Sequence, residues 1–294
     1  MDDDRPMLPV QNQNHKRWQM VALIGAAYSV GMMNQKPLDL SRYRGFLLDV
    51  DGVLVRDREV IPGAVEAVAA LKKRGRVVFL SNNSALSRAS YADKLNAMGF
   101  SVAAEQMLVS STLVARYLTQ HQLQAKVLVI GGDGLKEEIT LAGHILVEAQ
   151  PGWLATGLDR GFNYEILNKG LQALFRGARW VASGADATYP TPQGLRPGAG
   201  SMVGAFRGMG FEPEAIVGKP SRFCMEQAWE LLGVSDPKHA LMIGDRLDTD
   251  ILGAQQMGMD SLLVLSGVTS VIDLGKSSIQ ATFEYASICD VISC

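Results

Sequence analysis

From residue 45 onward the chain alternates short apolar, β-type runs with stretches of helical periodicity, and few folds accept that pattern. FLLDV (46–50) is followed by Pro62–Gly75, where Val65, Val68 and Leu71 fall at helical spacing between an opening proline and a closing glycine. VVFLS (77–81), a helix over about 87–98 stopped by Gly99, MLVS (107–110) and a helix over about 111–120 keep the beat. KVLVIG (126–131) begins another unit. Later, AIVG (215–218), a helix over 221–232, ALMIG (240–244), a helix from about 249 and SLLVL (261–265) resume it. Such βα alternation predicts an α/β fold, a Rossmann-like, doubly wound parallel sheet with helices on both faces.

In sheets of this kind ligands bind outside the carboxyl ends of the strands, so the residues just past each strand end matter most. Four polar clusters stand there. Asp49 and Asp51 interrupt FLLDVDGVLV; two apart, they point the same way in an extended chain, so one can attack while the next handles a proton. The plainer reading is a turn, since Asp-Gly is a strong turn dipeptide. Ser81 and Asn82 offer a hydroxyl and backbone N–H groups to phosphate oxygens, though an Asn/Ser turn would look the same. Lys219, between Gly218 and Pro220, can hold a phosphate or steady a carboxylate; a lone lysine is more often solvated. GDRLDTD (244–250) carries three acids into a helix start, where capping and the helix dipole account for one or two. They account poorly for Asp245, flush against ALMIG. A carboxylate there, facing Asp49, has the oxygen chemistry that Mg²⁺ prefers.

In this order the clusters resemble the four motifs of the haloacid dehalogenase (HAD) superfamily of phosphohydrolases: DVDGV the first, LSNNS the second, GKP the third, GDRLDTD the fourth. GLDRGFNY (157–164) and YPTPQGLRPGAG (189–200) look like its subclass IIA, the NagD, 4-nitrophenylphosphatase and phosphoglycolate phosphatase branch, and the likeness covers about residues 43–290. The resemblance implies that Asp49 is the nucleophile, forming an aspartyl-phosphate, and that Asp51 trades a proton with the leaving group and then with water. It implies that Ser81, Asn82 and Lys219 bind the phosphoryl group, and that Mg²⁺ is held by Asp49, the carbonyl of Asp51 and Asp245, with Asp250 in support. It also implies a C2-type cap between the second and third motifs. Residues 82–218 span 137 positions, more than two βα steps need, and an inserted α/β cap over 122–210 accounts for the excess. The catalytic core is then expected over 43–121 and 211–294. One departure stands at Ala182–Asp186, ASGAD, where this branch often reads A-T-N-x-D: Gly184 replaces the asparagine, so no substrate contact is carried over from it. Asp186 is expected to bear on substrate specificity from the cap side.

Composition narrows the partners. A net charge of −2 gives no attraction to nucleic acid or an anionic membrane. Three scattered cysteines and four scattered histidines form no disulfide framework or zinc cluster, which fits a reducing, cytoplasmic setting. Residues 1–42 read as an extension, expected to be poorly ordered, with a native start at Met32 or Met33 or a targeting role as the alternatives. Its apolar run Met20–Met33 has 14 residues, short of the ~20 a bilayer span needs, and comes after three aspartates where a signal peptide wants positive charge. No stable membrane association is expected. The implied substrate is a small phosphate monoester of the phosphoglycolate, nucleotide, sugar phosphate or 4-nitrophenyl phosphate type; a homodimer through the cap is in keeping with the branch. Two other readings stay open: a metal-independent haloacid dehalogenase-type hydrolase, against which Asp51 argues, and a non-catalytic phosphometabolite-binding protein.

Overall fold

The computed structural model describes residues 37–191 and 194–292. The apolar run Met20–Met33, and with it the expectation for residues 1–36, lies outside the described residues. Six strands form the larger sheet, in the order Phe283–Tyr285, Asp260–Val264, Ala240–Gly244, Gly45–Asp49, Arg76–Ser81 and Met107–Val109. Every neighbouring pair in it runs parallel. The strand Gly45–Asp49 lies inside the sheet between two partners and is buried throughout, as a strand covered on both faces must be.

Alternation along that strand sorts the core into two layers. Phe46 and Leu48 face the helices Ala64–Arg74 and Arg88–Ala97, in one apolar cluster with Val68, Leu71, Tyr91 and Leu95. Leu47 faces the other way, clustering with Leu113 and Leu118 of helix Ser110–His121 and with Met225 and Leu232 of helix Arg222–Leu232. The sheet is therefore doubly wound. Leu38 and Leu40 correct the expected boundary of the N-terminal extension: both are buried in the first of these layers, so packing begins ahead of residue 43.

Between Met107–Val109 and Ala240–Gly244 the chain builds a second parallel sheet, in the order Ala215–Ile216, Arg179–Ala182, Trp153–Thr156, Lys126–Ile130 and Ile145–Leu146. Its edge strand Ala215–Ile216, the last of the five along the chain, corrects another expected boundary. Residues 215 and 216 fall within the segment assigned to the core by sequence, yet they pair with Val181 and Ala182 and finish the second sheet. An apolar run this short has no periodicity of its own, so nothing local specifies which sheet it joins. Helices Tyr164–Phe175 and Ala199–Arg207 cover one face of this sheet, around Leu154, Trp180 and Phe206. The other face turns Val127, Trp153 and Val181 into the same apolar cluster as Leu113 and Leu118 of the core. Among the described residues no helix is long and apolar enough to cross a membrane.

Trp153 is fully buried in this shared layer, and its indole N–H donates to Gln122 Oε1 at 3.0 Å. Trp153→Ala should therefore cost about 3–5 kcal/mol, read as a shift in the denaturant midpoint of the full chain. A loss below about 1 kcal/mol would mean that the two lobes, one built on each sheet, do not depend on this layer.

Candidate active site

The three adjacent strands Ala240–Gly244, Gly45–Asp49 and Arg76–Ser81 end side by side, and the polar clusters converge at their carboxyl ends. Asp49 is the last residue of its strand and is 7% exposed. Lys219, 5% exposed, donates from Nζ to Asp49 Oδ1 at 2.5 Å and to Asp250 Oδ1 at 2.7 Å. Asp250 is held in turn by the backbone. A π-helical turn, Leu247–Ile251, stands where the sequence predicts an ordinary helix start, and Asp250 Oδ2 accepts from the N–H groups of Asp245 and Arg246 at 3.2 and 3.1 Å. Such turns recur at functional sites.

Asp245 is fully buried. Its Oδ2 accepts from the Val268 N–H at 2.6 Å, while its buried Oδ1 has no hydrogen-bond partner among the described residues. Asp49, Asp245 and Asp250 each present an oxygen within 4.8 Å of the others. Burial pushes Asp49 well above the usual carboxylate range; Lys219 opposes this, and Asp250 and Asp245 add to it. Burial, reinforced by Asp250, pushes Asp245 up to about 7. For Lys219 burial works against the charge, but the two carboxylates outweigh it and hold the ammonium protonated. An orphaned carboxylate oxygen, all-oxygen donors and a surplus of negative charge fit a hard divalent cation.

The remaining expected residues lie around this centre. Asp51 is exposed just past Asp49, and Gly52 follows with φ +95°. A Cβ at Gly52 would stand 2.4 Å from Asp245 Oδ2, so only glycine permits that approach. Ser81 is buried and accepts from the Asn83 N–H at 3.2 Å. The Asn82 side chain turns to the Lys219 backbone: its Oδ1 accepts from Lys219 N at 2.7 Å. Asp186 comes from the second lobe and meets Asn82 and Arg246.

Two contributors carry no mark in the sequence pattern. The Val268 amide belongs to SGVT, a loop with no charged residue. Tyr91 lies on a helix whose spacing predicts only packing. Its hydroxyl donates to Asp51 Oδ2 at 2.7 Å and lies beside Ser81; burial, with Asp51 adding to it, keeps that hydroxyl protonated.

The haloacid dehalogenase-like hydrolase family matches residues 46–145, and a HAD hydrolase-like family matches residues 216–291. The 5'-nucleotidase YutF of Bacillus subtilis (strain 168) is 36% identical over 232 residues, which is 78% of this chain and 90% of that protein. The chain belongs to the haloacid dehalogenase superfamily. Among solved structures, the p-nitrophenyl phosphatase from Archaeoglobus fulgidus superposes with a TM-score of 0.81 at 34% identity, covering 85% of this chain and 98% of that one. The glycerol phosphate phosphatase of Mycobacterium tuberculosis in complex with magnesium has a TM-score of 0.79 at 32% identity, covering 85% and 77%. These relatives place the chain in the NagD-like branch of the superfamily.

Tyr91→Phe removes the donor that steadies Asp51. Loss of one hydrogen bond to a charged group, roughly 1.5 kcal/mol, should lower kcat about tenfold with KM little changed. Steady-state kinetics on a phosphate monoester would show it, and an unchanged kcat would remove Tyr91 from the site.

Proposed function

We propose that this protein is a Mg²⁺-dependent hydrolase of small-molecule phosphate monoesters that works through an aspartyl-phosphate on Asp49. The observation that carries the reading is the buried cluster in which Lys219 bridges Asp49 and Asp250 while Asp245 keeps an unpartnered oxygen. Asp49, the carbonyl of Asp51 and Asp245 would hold the cation, with Asp250 supporting from behind, since both its oxygens already accept hydrogen bonds. When bound, Mg²⁺ neutralises the repulsion between an anionic nucleophile and an anionic phosphate.

The chain's own residues supply the rest. Asp49 attacks phosphorus, and the ester oxygen departs with a proton from Asp51. Asp51, now a carboxylate held by Tyr91, takes a proton from water as that water attacks the phosphoryl group; phosphate leaves and Asp49 is regenerated. Ser81, Lys219 and Asn82 are assigned to hold the phosphoryl oxygens, Asn82 through its backbone N–H because its side-chain amide is already engaged. The second lobe, as a C2-type cap, would exclude bulk water during the first step. The relatives' names span a nucleotidase, a nitrophenyl phosphatase and a glycerol phosphate phosphatase, which supports a small ester without choosing among them. Cys224 and Cys289 are both free thiols, which fits a cytoplasmic setting.

Asp49→Asn should lower turnover of 4-nitrophenyl phosphate by at least about 10³-fold. EDTA should abolish wild-type turnover and added Mg²⁺ restore it. Near-normal turnover by the variant, or haloacid hydrolysis that survives EDTA, would overturn the assignment.

A further inference from the structure

Asp186 sits on the second lobe, in the loop after strand Arg179–Ala182, yet its carboxylate is spent on the core. Oδ2 accepts from Asn82 Nδ2 at 2.9 Å, and Oδ1 pairs with the Arg246 guanidinium at 3.2 Å. Arg246 is itself held: its Nε and Nη2 donate to Asp248 at 3.1 and 2.9 Å, leaving Nη1 aimed at Asp186. A guanidinium fixed in this way is a directional partner and not a loose counter-charge.

The Asn82 amide is also fully engaged. Besides Asp186, its Nδ2 donates to the Lys219 carbonyl at 3.2 Å, and its Oδ1 accepts from the Lys219 N–H. One side chain therefore brackets the backbone of the buried lysine and binds the second lobe. Gly218 makes this possible, because a Cβ there would stand 2.8 Å from Asn82 Oδ1. The Asp186 loop is pinned from behind as well: the Gly200 N–H donates to the Asp186 carbonyl at 2.9 Å and the Gly198 N–H to the Ala187 carbonyl at 2.8 Å. A Cβ at Gly200 would lie 2.2 Å from the Ala185 carbonyl oxygen, so bare backbone at this position is what lets the loop seat against helix Ala199–Arg207.

We propose that Asp186 is a positioning residue: it latches the second lobe to the core through Asn82 and Arg246, and the Asn82 amide passes that latched state to Lys219. This rests on the phosphatase reading of the site. Asp186 then acts on catalysis without touching the ester. Its side chain is 19% exposed and that of Arg246 28%, so water reaches the pair and the latch can open between turnovers. A residue that contacts the leaving group would instead discriminate between esters.

The test uses the full chain with Mg²⁺ and two esters, 4-nitrophenyl phosphate and glycerol 3-phosphate. Asp186→Ala and Arg246→Ala should each lower kcat/KM about tenfold, and the double variant no further, because the two residues form one device. The ratio of activities on the two esters should stay within about threefold of wild type. Asp186→Asn, which keeps the shape, guards against misfolding and should show a smaller loss in the same direction. Hydrogen exchange without substrate should speed up at residues 82–86 and 184–188 in Asp186→Ala. Multiplying losses, a changed ester ratio or unchanged exchange would overturn the latch. The exchange measurement needs no turnover, so it judges the latch even if the wild type hydrolyses neither ester; failure extending across a wide panel of phosphate monoesters would sink the phosphatase reading alone.

Discussion

The ammonium of Lys219, held between Asp49 and Asp250 in a place that water scarcely reaches, is the constraint around which the rest is arranged. A buried charge without partners would be costly enough to be neutralised. Here the lysine and its two partners come from three separate parts of the chain: the turn just past the second sheet, the end of the strand Gly45–Asp49, and the π-helical turn after Ala240–Gly244. None can move far without stranding a charge. The apolar layers of Leu47 and Phe46 hold the strand ends in register, and the register fixes the carboxylates.

That arrangement leaves an imbalance which is itself informative. Of the three clustered carboxylates the ammonium touches two, and the third, Asp245, receives an N–H from Val268 at Oδ2 while its buried Oδ1 has no hydrogen-bond partner among the described residues. Glycine at position 52 keeps side-chain bulk away from the same carboxylate. The geometry thus keeps an oxygen lone pair available in a region where most polar atoms are satisfied.

Much of this is legible in the chain. The βα alternation announces the parallel sheet, and the rule that ligands bind at strand ends singles out Asp49, Asp51, Ser81, Asn82, Lys219 and Asp245. Residues 215 and 216 mislead because a run so short says nothing about which sheet it joins. Tyr91 is hidden for a different reason: a tyrosine on the inner face of a helix looks like core, and only tertiary packing brings its hydroxyl to Asp51. Val268 contributes through its backbone, which no side-chain pattern can mark. Arg246 lies in plain view within GDRLDTD, but its partner Asp186 is 60 residues away, and the pairing exists only once the second lobe is folded.

The return of the chain from the second sheet has a mechanical consequence. Its last strand ends at Ile216, and Lys219 comes three residues later. No slack linker separates the two. A tilt of that sheet must therefore pull on the very segment that carries the buried ammonium, so the covalent chain works as a short lever between the lobe and the Asp49 carboxylate that the ammonium holds. Extra residues inserted between Ile216 and Lys219 would leave both sheets intact and still disconnect the lever from its load.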